Sequence, residues 1–93
     1  MTKISTQRGV KTEIMEIHEL KTWPEYFEQV KTGKKTFELR KGDRFFKVGD
    51  ELLLREFKNE SYTGNICHRR ITYILSESPG IEKGYVILGL KKI

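Results

Sequence analysis

The apolar positions of this chain change period several times, and each change marks an element. From Glu13 to Leu20, Ile14, Met15 and Ile17 are the apolar members of a predicted first strand. Trp23, Tyr26, Phe27 and Val30 then follow the i, i+3, i+4, i+7 spacing of one helix face, which predicts a buried helical stripe. Thr22 and Glu25 bracket its start as a capping box would, and Pro24 is tolerated in a first turn. Gly33 supplies the left-handed conformation that closes a helix. Beyond it the period becomes two, with Phe37 and Leu39 pointing one way and Thr36, Glu38 and Arg40 the other.

Lys41-Gly42-Asp43-Arg44 reads as a turn, and residues 45–50 as a second connection. Residues 51–57, with Leu52, Leu53 and Leu54, suit a well-buried strand. Residues 58–65 read as a polar hairpin loop with its turn near Tyr62-Thr63-Gly64-Asn65. Residues 66–75 follow as a long strand, 76–83 as a loop containing Pro79-Gly80, and 84–90 as a closing strand. Five strands and one helix inserted after the first predict a small barrel-like α+β domain, with antiparallel neighbours and short turns. The pattern leaves strand order open.

Ninety-three residues make one domain. Ten aromatic residues and 37% hydrophobic content suffice for one modest core. No apolar run approaches the roughly 18 residues of a membrane span, and the N-terminus lacks a signal-peptide stretch, so a cytoplasmic protein is expected. The single cysteine, Cys67, excludes an internal disulfide and disfavours a cysteine-based metal site. His18 and His68 are too few and too far apart in sequence to suggest zinc, so neither metal nor cofactor is expected.

The net charge of +5 is unevenly spread. Residues 1–12 carry Lys3, Arg8 and Lys11 with no acid, and read as a flexible basic arm before a domain at 13–93. Within residues 31–47, seven cations face only Glu38 and Asp43. Such a field attracts phosphates, although a lysine-rich run is also what a solvated surface looks like. At its centre, residues 33–40 read G-x-K-x-x-E-x-R, with Lys35, Glu38 and Arg40 across a helix-to-strand junction.

Together with His18-Glu19-Leu20-Lys21, Trp23-Pro24, Asp43-Arg44, residues 46–50 and Gly84-Tyr85-Val86-Ile87, this octapeptide resembles the ASCH domain. More narrowly it resembles a small bacterial and phage branch known only as a domain of unknown function. The likeness covers the chain from about residue 13 onward. It implies a PUA-like pseudo-barrel of about five or six strands with one main helix after the first strand. It also implies RNA, or another nucleic acid, as partner, bound in a cleft between barrel and helix.

Carried over residue by residue, Lys35 would meet a phosphate or base oxygen, and Glu38 would accept from a base edge or ribose. Arg40 would orient Glu38 or contact the backbone, Trp23 and Tyr26 would offer stacking faces, and Lys21 and Arg44 complete the expected binding set. Some relatives in the same superfamily are amidohydrolases acting on acylated nucleosides through a lysine and a threonine of this motif together with a distant glutamate. Lys35 matches that lysine, but Glu38 stands where those enzymes carry threonine, with Thr36 nearby; Lys35 and Glu38 would then be the catalytic groups. Plainer readings coexist with these. Glu38 and Arg40 could form a surface ion pair of little energetic weight, and Trp23, heading the helical stripe, reads first as core. Either His18 or Lys21 could face the cleft. A protein-interaction module is a third function class, with the cationic run as its docking surface; no exposed-edge or helix-in-groove signature favours it.

Overall fold

The computed structural model describes residues 14–93, so the predicted arm at 1–12 lies outside the described residues. Among the described residues, five strands and one helix run in the order β1 (Ile17–Thr22), α1 (Pro24–Lys31), β2 (Phe37–Lys41), β3 (Glu51–Lys58), β4 (Ser61–Leu75) and β5 (Tyr85–Lys92). The strands form one sheet in the order β1-β3-β4-β5-β2. β1 pairs parallel with β3, and every other neighbour is antiparallel. The sheet curls into a half-barrel, with α1 packed against β3 and β4. Among the described residues no helix is long and apolar enough to cross a membrane.

The core forms where Phe27 and Val30 of α1 meet Leu52, Leu54, Ile71 and Leu88 of the sheet, all at most 2% exposed. Only these two residues of the helix are buried. The predicted stripe was wider: Trp23 is 54% and Tyr26 49% exposed, so neither is core. An eight-residue helix has little more than two turns, so few of its positions can be covered; the Trp23 ring meets the sheet only edge-on, at Phe57, 6.0 Å between ring centres. The capping box is also absent. Trp23 is the N-cap, without a side-chain bond, because Thr22 completes β1 and spends its hydroxyl on the Leu20 carbonyl, 3.3 Å away. At the other end Gly33 takes φ 87°, and the Lys35 N–H donates to the Gln29 carbonyl at 2.9 Å, which pins Lys35 beside the helix.

β1 begins later than its apolar residues suggested. Ile14, Met15 and Ile17 are exposed, while His18, Leu20 and Thr22 face inward. Two of the three inward residues are polar and satisfied by partners, which inverts the alternation a sequence reader looks for. The β3–β4 hairpin is tighter than predicted: Asn59 (φ 52°) and Glu60 (φ 64°) make a two-residue turn, the left-handed pair that matches strand twist. β4 therefore starts at Ser61. Its first part pairs with β3 and its second with β5, with register shifts at 55/57 and 71/73 that let so long a strand bend.

β1 and β2 are the two edges of this sheet, and the curl brings them face to face without a ladder between them among the described residues. Side chains bridge this seam: an Arg40 Nη donates to Thr22 Oγ1 at 3.2 Å.

Candidate functional site

The seam is where the octapeptide's polar residues converge. In the antiparallel register Glu38 stands opposite Leu88 and Arg40 opposite Val86, so both share the core-facing side of β2. Phe37 and Leu39, the apolar members, point outward and are 46% and 56% exposed. This edge strand thus turns its charges in and its hydrocarbon out.

Glu38 is 3% exposed. An unpaired carboxylate in that position would cost several kcal/mol (about). Two charge-assisted bonds offset the cost: Lys35 Nζ donates to Oε2 at 3.0 Å and Arg40 Nε to Oε1 at 3.1 Å. The surface ion pair considered from sequence is therefore a buried triad. Each carboxylate oxygen keeps a lone pair for a further donor. Lys35 is held laterally by aromatic faces, its ammonium 5.5 Å from the Tyr26 ring centre and 5.2 Å from that of Phe37.

A recess of about 220 Å³ opens above Glu38, walled by Lys21 and Thr22 of β1, Trp23 and Tyr26 at the head of α1, and Leu39 and Arg40 of β2. A neighbouring recess of about 230 Å³ continues along the seam past Arg40 to Lys41, Asp43, Arg44 and Phe46. Arg40 lines both. The main chain contributes as well. Leu90 N–H donates to the Thr36 carbonyl at 2.9 Å and Gly42 N–H to that of Gly84 at 2.7 Å. These bonds place the even-numbered residues of β2 in its hydrogen-bonded pairs with β5, so Phe37, Leu39 and Lys41 turn their peptide groups toward the seam.

Of the residues expected from sequence, Lys21, Trp23, Glu38 and Arg40 line the first recess, Lys35 bonds its floor, and Arg44 lines the second. Between His18 and Lys21 it is Lys21 that faces the opening, its ammonium 4.2 Å over the Phe57 ring. Thr36 is exposed and lines a different hollow. Sequence reasoning missed Thr22, whose role as bridge depends on the curl rather than on any motif. It also missed the peptide groups of β2, which leave no side-chain signature.

His18 belongs to a separate cluster. It is buried, packs on the Phe46 ring at 4.7 Å, and its Nε2 lies 2.9 Å from Asp50 Oδ2. Glu16, His18 and Asp50 present ligand-type atoms within 4.8 Å of one another. The donor set does not suit a cation, because Asp50 already accepts from the Glu16 and Lys47 N–H groups and lies 3.5 Å from the Lys47 ammonium. The cluster instead fastens β1 to the turn before β3. Burial pushes the Asp50 carboxyl up, but bonds from His18, Glu16 and Lys47 outweigh it and hold the group below its ordinary range. Glu51, next in sequence, is gripped on the outer face by His68 at 2.8 Å and Arg70 at 2.6 Å. Cys67 is buried, and burial pushes its thiol up, so it stays protonated and unreactive at neutral pH.

Residues 17–90 match the model of a family described as a domain of unknown function, DUF3850. An uncharacterized 12.9 kDa protein from the GpA 3' region of Escherichia phage P2 is 42% identical over 72 residues. Those residues are 77% of this chain and 65% of the phage protein, so the match spans just under two thirds of that relative's length.

Proposed function

We propose, for a chain that belongs to the DUF3850 family, that the seam is an RNA-binding cleft and the domain an ASCH-type member of the PUA-like barrels. One observation carries the reading: a buried carboxylate, neutralised by two cations, forms the floor of an open recess whose wall holds exposed aromatic rings. Fixed acceptors of this kind suit donors on a base edge or a ribose, and Trp23 and Tyr26 offer faces for stacking. At about 220 Å³ the recess is smaller than drug-sized pockets of roughly 300–1,000 Å³, which fits a base rather than a whole ligand buried in it. Lys21, Lys35, Arg40 and Arg44 supply the field that draws phosphates.

The Lys35–Glu38 distance of 3.0 Å also favours a second reading, hydrolysis of an N-acylated nucleoside with this pair moving the proton. Arg40 competes for the same carboxylate, and Thr36 lies away from the recess, so neither a free base nor a threonine nucleophile is in place. Binding accounts for more of the geometry.

The test is a titration of structured RNA, single-stranded RNA, DNA and free nucleosides against wild type, Lys35→Ala and Glu38→Ala. Affinity falls as salt rises. Lys35→Ala weakens every ligand, and Glu38→Ala changes preference among them more than overall strength. Affinity indifferent to both salt and Lys35→Ala would overturn the proposal. Turnover in a panel of acylated nucleosides, abolished by Lys35→Ala, would establish the enzymatic reading instead.

A further inference from the structure

Lys35 also lines a hollow of about 270 Å³ between the C-terminal end of α1, Arg69 of β4 and the end of β5. Its four charged lining residues, Lys35, Arg69, Lys91 and Lys92, are all cations. Arg69 is fixed there, with one Nη donating to the Val30 carbonyl at 3.0 Å and the other to that of His68 at 2.8 Å. The Val30 carbonyl belongs to the negative end of the helix, so this bond removes a group that would repel an anion.

The strand register adds a second observation. Arg69 stands opposite Lys92, and Arg70 opposite Lys91. Like charges directly opposite on antiparallel strands weaken the sheet. Glu51 relieves Arg70. Among the described residues, Arg69, Lys91 and Lys92 take part in no ion pair. That leaves one unrelieved like-charge pair, Arg69 with Lys92, at the rim of an all-cationic hollow, and it calls for an anion from outside the chain.

We propose that this hollow is a phosphate subsite, and that the ligand of the seam is a single-stranded polynucleotide whose backbone passes over Lys35 into it. The inference rests on the reading of the seam as a nucleic-acid cleft. A base must leave its stack to enter the seam recess, which selects a single strand over a duplex. Lys35 joins the two places, since it lines the hollow while its ammonium bonds the floor of the seam.

The experiment compares wild type with Lys92→Glu. Its ligands are the four nucleosides, their 5'-triphosphates, and eight-nucleotide mixed-sequence single strands of RNA and of DNA. Lys92→Glu weakens the oligonucleotides about tenfold or more and makes the slope of log K against log salt shallower by about 0.7 per lost phosphate contact. Nucleoside binding does not change. Tm rises, because the substitution turns a repulsive pair with Arg69 into an attractive one, so the affinity loss cannot come from misfolding. The RNA and DNA arms decide which sugar the strand carries.

Oligonucleotide affinity untouched by Lys92→Glu would overturn the inference, as would triphosphates that match the oligonucleotides in affinity. If nucleosides bind in a Lys35-dependent way while a longer strand gains nothing, the phosphate subsite falls and the seam reading stands. If neither nucleosides nor strands bind, both fall.

Discussion

The most economical side chain in this protein is Asp50, whose two oxygens tie together Glu16, His18 and Lys47 from separate stretches of chain. Its carboxyl is held below the ordinary range in the folded state. A group depressed in this way contributes stability above its unfolded pKa, about 3.9, and loses that contribution as pH falls toward the folded value. Wild type therefore weakens below about pH 4, whereas Asp50→Asn, less stable at neutral pH, shows a flatter acid limb. Urea unfolding at a series of pH values checks both. Removing the side chain altogether strands two backbone N–H donors and the His18 ring nitrogen, and Asp50→Ala costs about 3 kcal/mol or more. Sequence gave no hint of this knot. His18 and Asp50 are 32 residues apart, and only the parallel pairing of β1 with β3 brings them together. Lys35, Glu38 and Arg40 were legible for the opposite reason: a helix end and a strand a few residues apart leave them no choice but to be neighbours.

At the scale of the element, α1 carries the clearest lesson. Its spacing of four aromatic and apolar residues promised a broad buried face, yet only Phe27 and Val30 are buried. Periodicity reports which residues share a side, but not how much of that side a short sheet can cover. Phe27→Ala, which empties packed core, costs about 3–5 kcal/mol. Trp23→Ala, at a residue more than half exposed, costs about 1 kcal/mol or less; if the seam binds nucleic acid as proposed, it lowers that affinity instead, as loss of a stacking face does. Chemical denaturation and binding measured on the same two variants separate the roles. β1 misled for a related reason. Its inward positions, His18 and Thr22, are polar because partners across the sheet satisfy them, and those partners are invisible until strand order is known.

At the scale of the fold, the decisive fact is that, among the described residues, a five-strand sheet curls far enough to bring its edges together but not to join them. The class of fold and the count of strands follow from the sequence; the order β1-β3-β4-β5-β2 does not, because pairing between distant strands is set by the packing of the complete chain. Arg40 spans the gap with bonds to Glu38 and Thr22. Arg40→Ala leaves Glu38 with Lys35 alone and costs about 2 kcal/mol, a fall in Tm of about 8–16 °C for a domain of this size. Arg40→Lys restores little, since an ammonium cannot reach two acceptors with the geometry of a guanidinium fork. Differential scanning calorimetry of the two variants tests this.

The outward-turned peptide groups of Phe37, Leu39 and Lys41 have a consequence of another kind. A guest that docks on them is greeted by the polymer itself: no codon change removes a main-chain carbonyl, and only a change to proline removes an N–H. Side chains along the rim are free to drift over generations while that part of the grip is inherited intact.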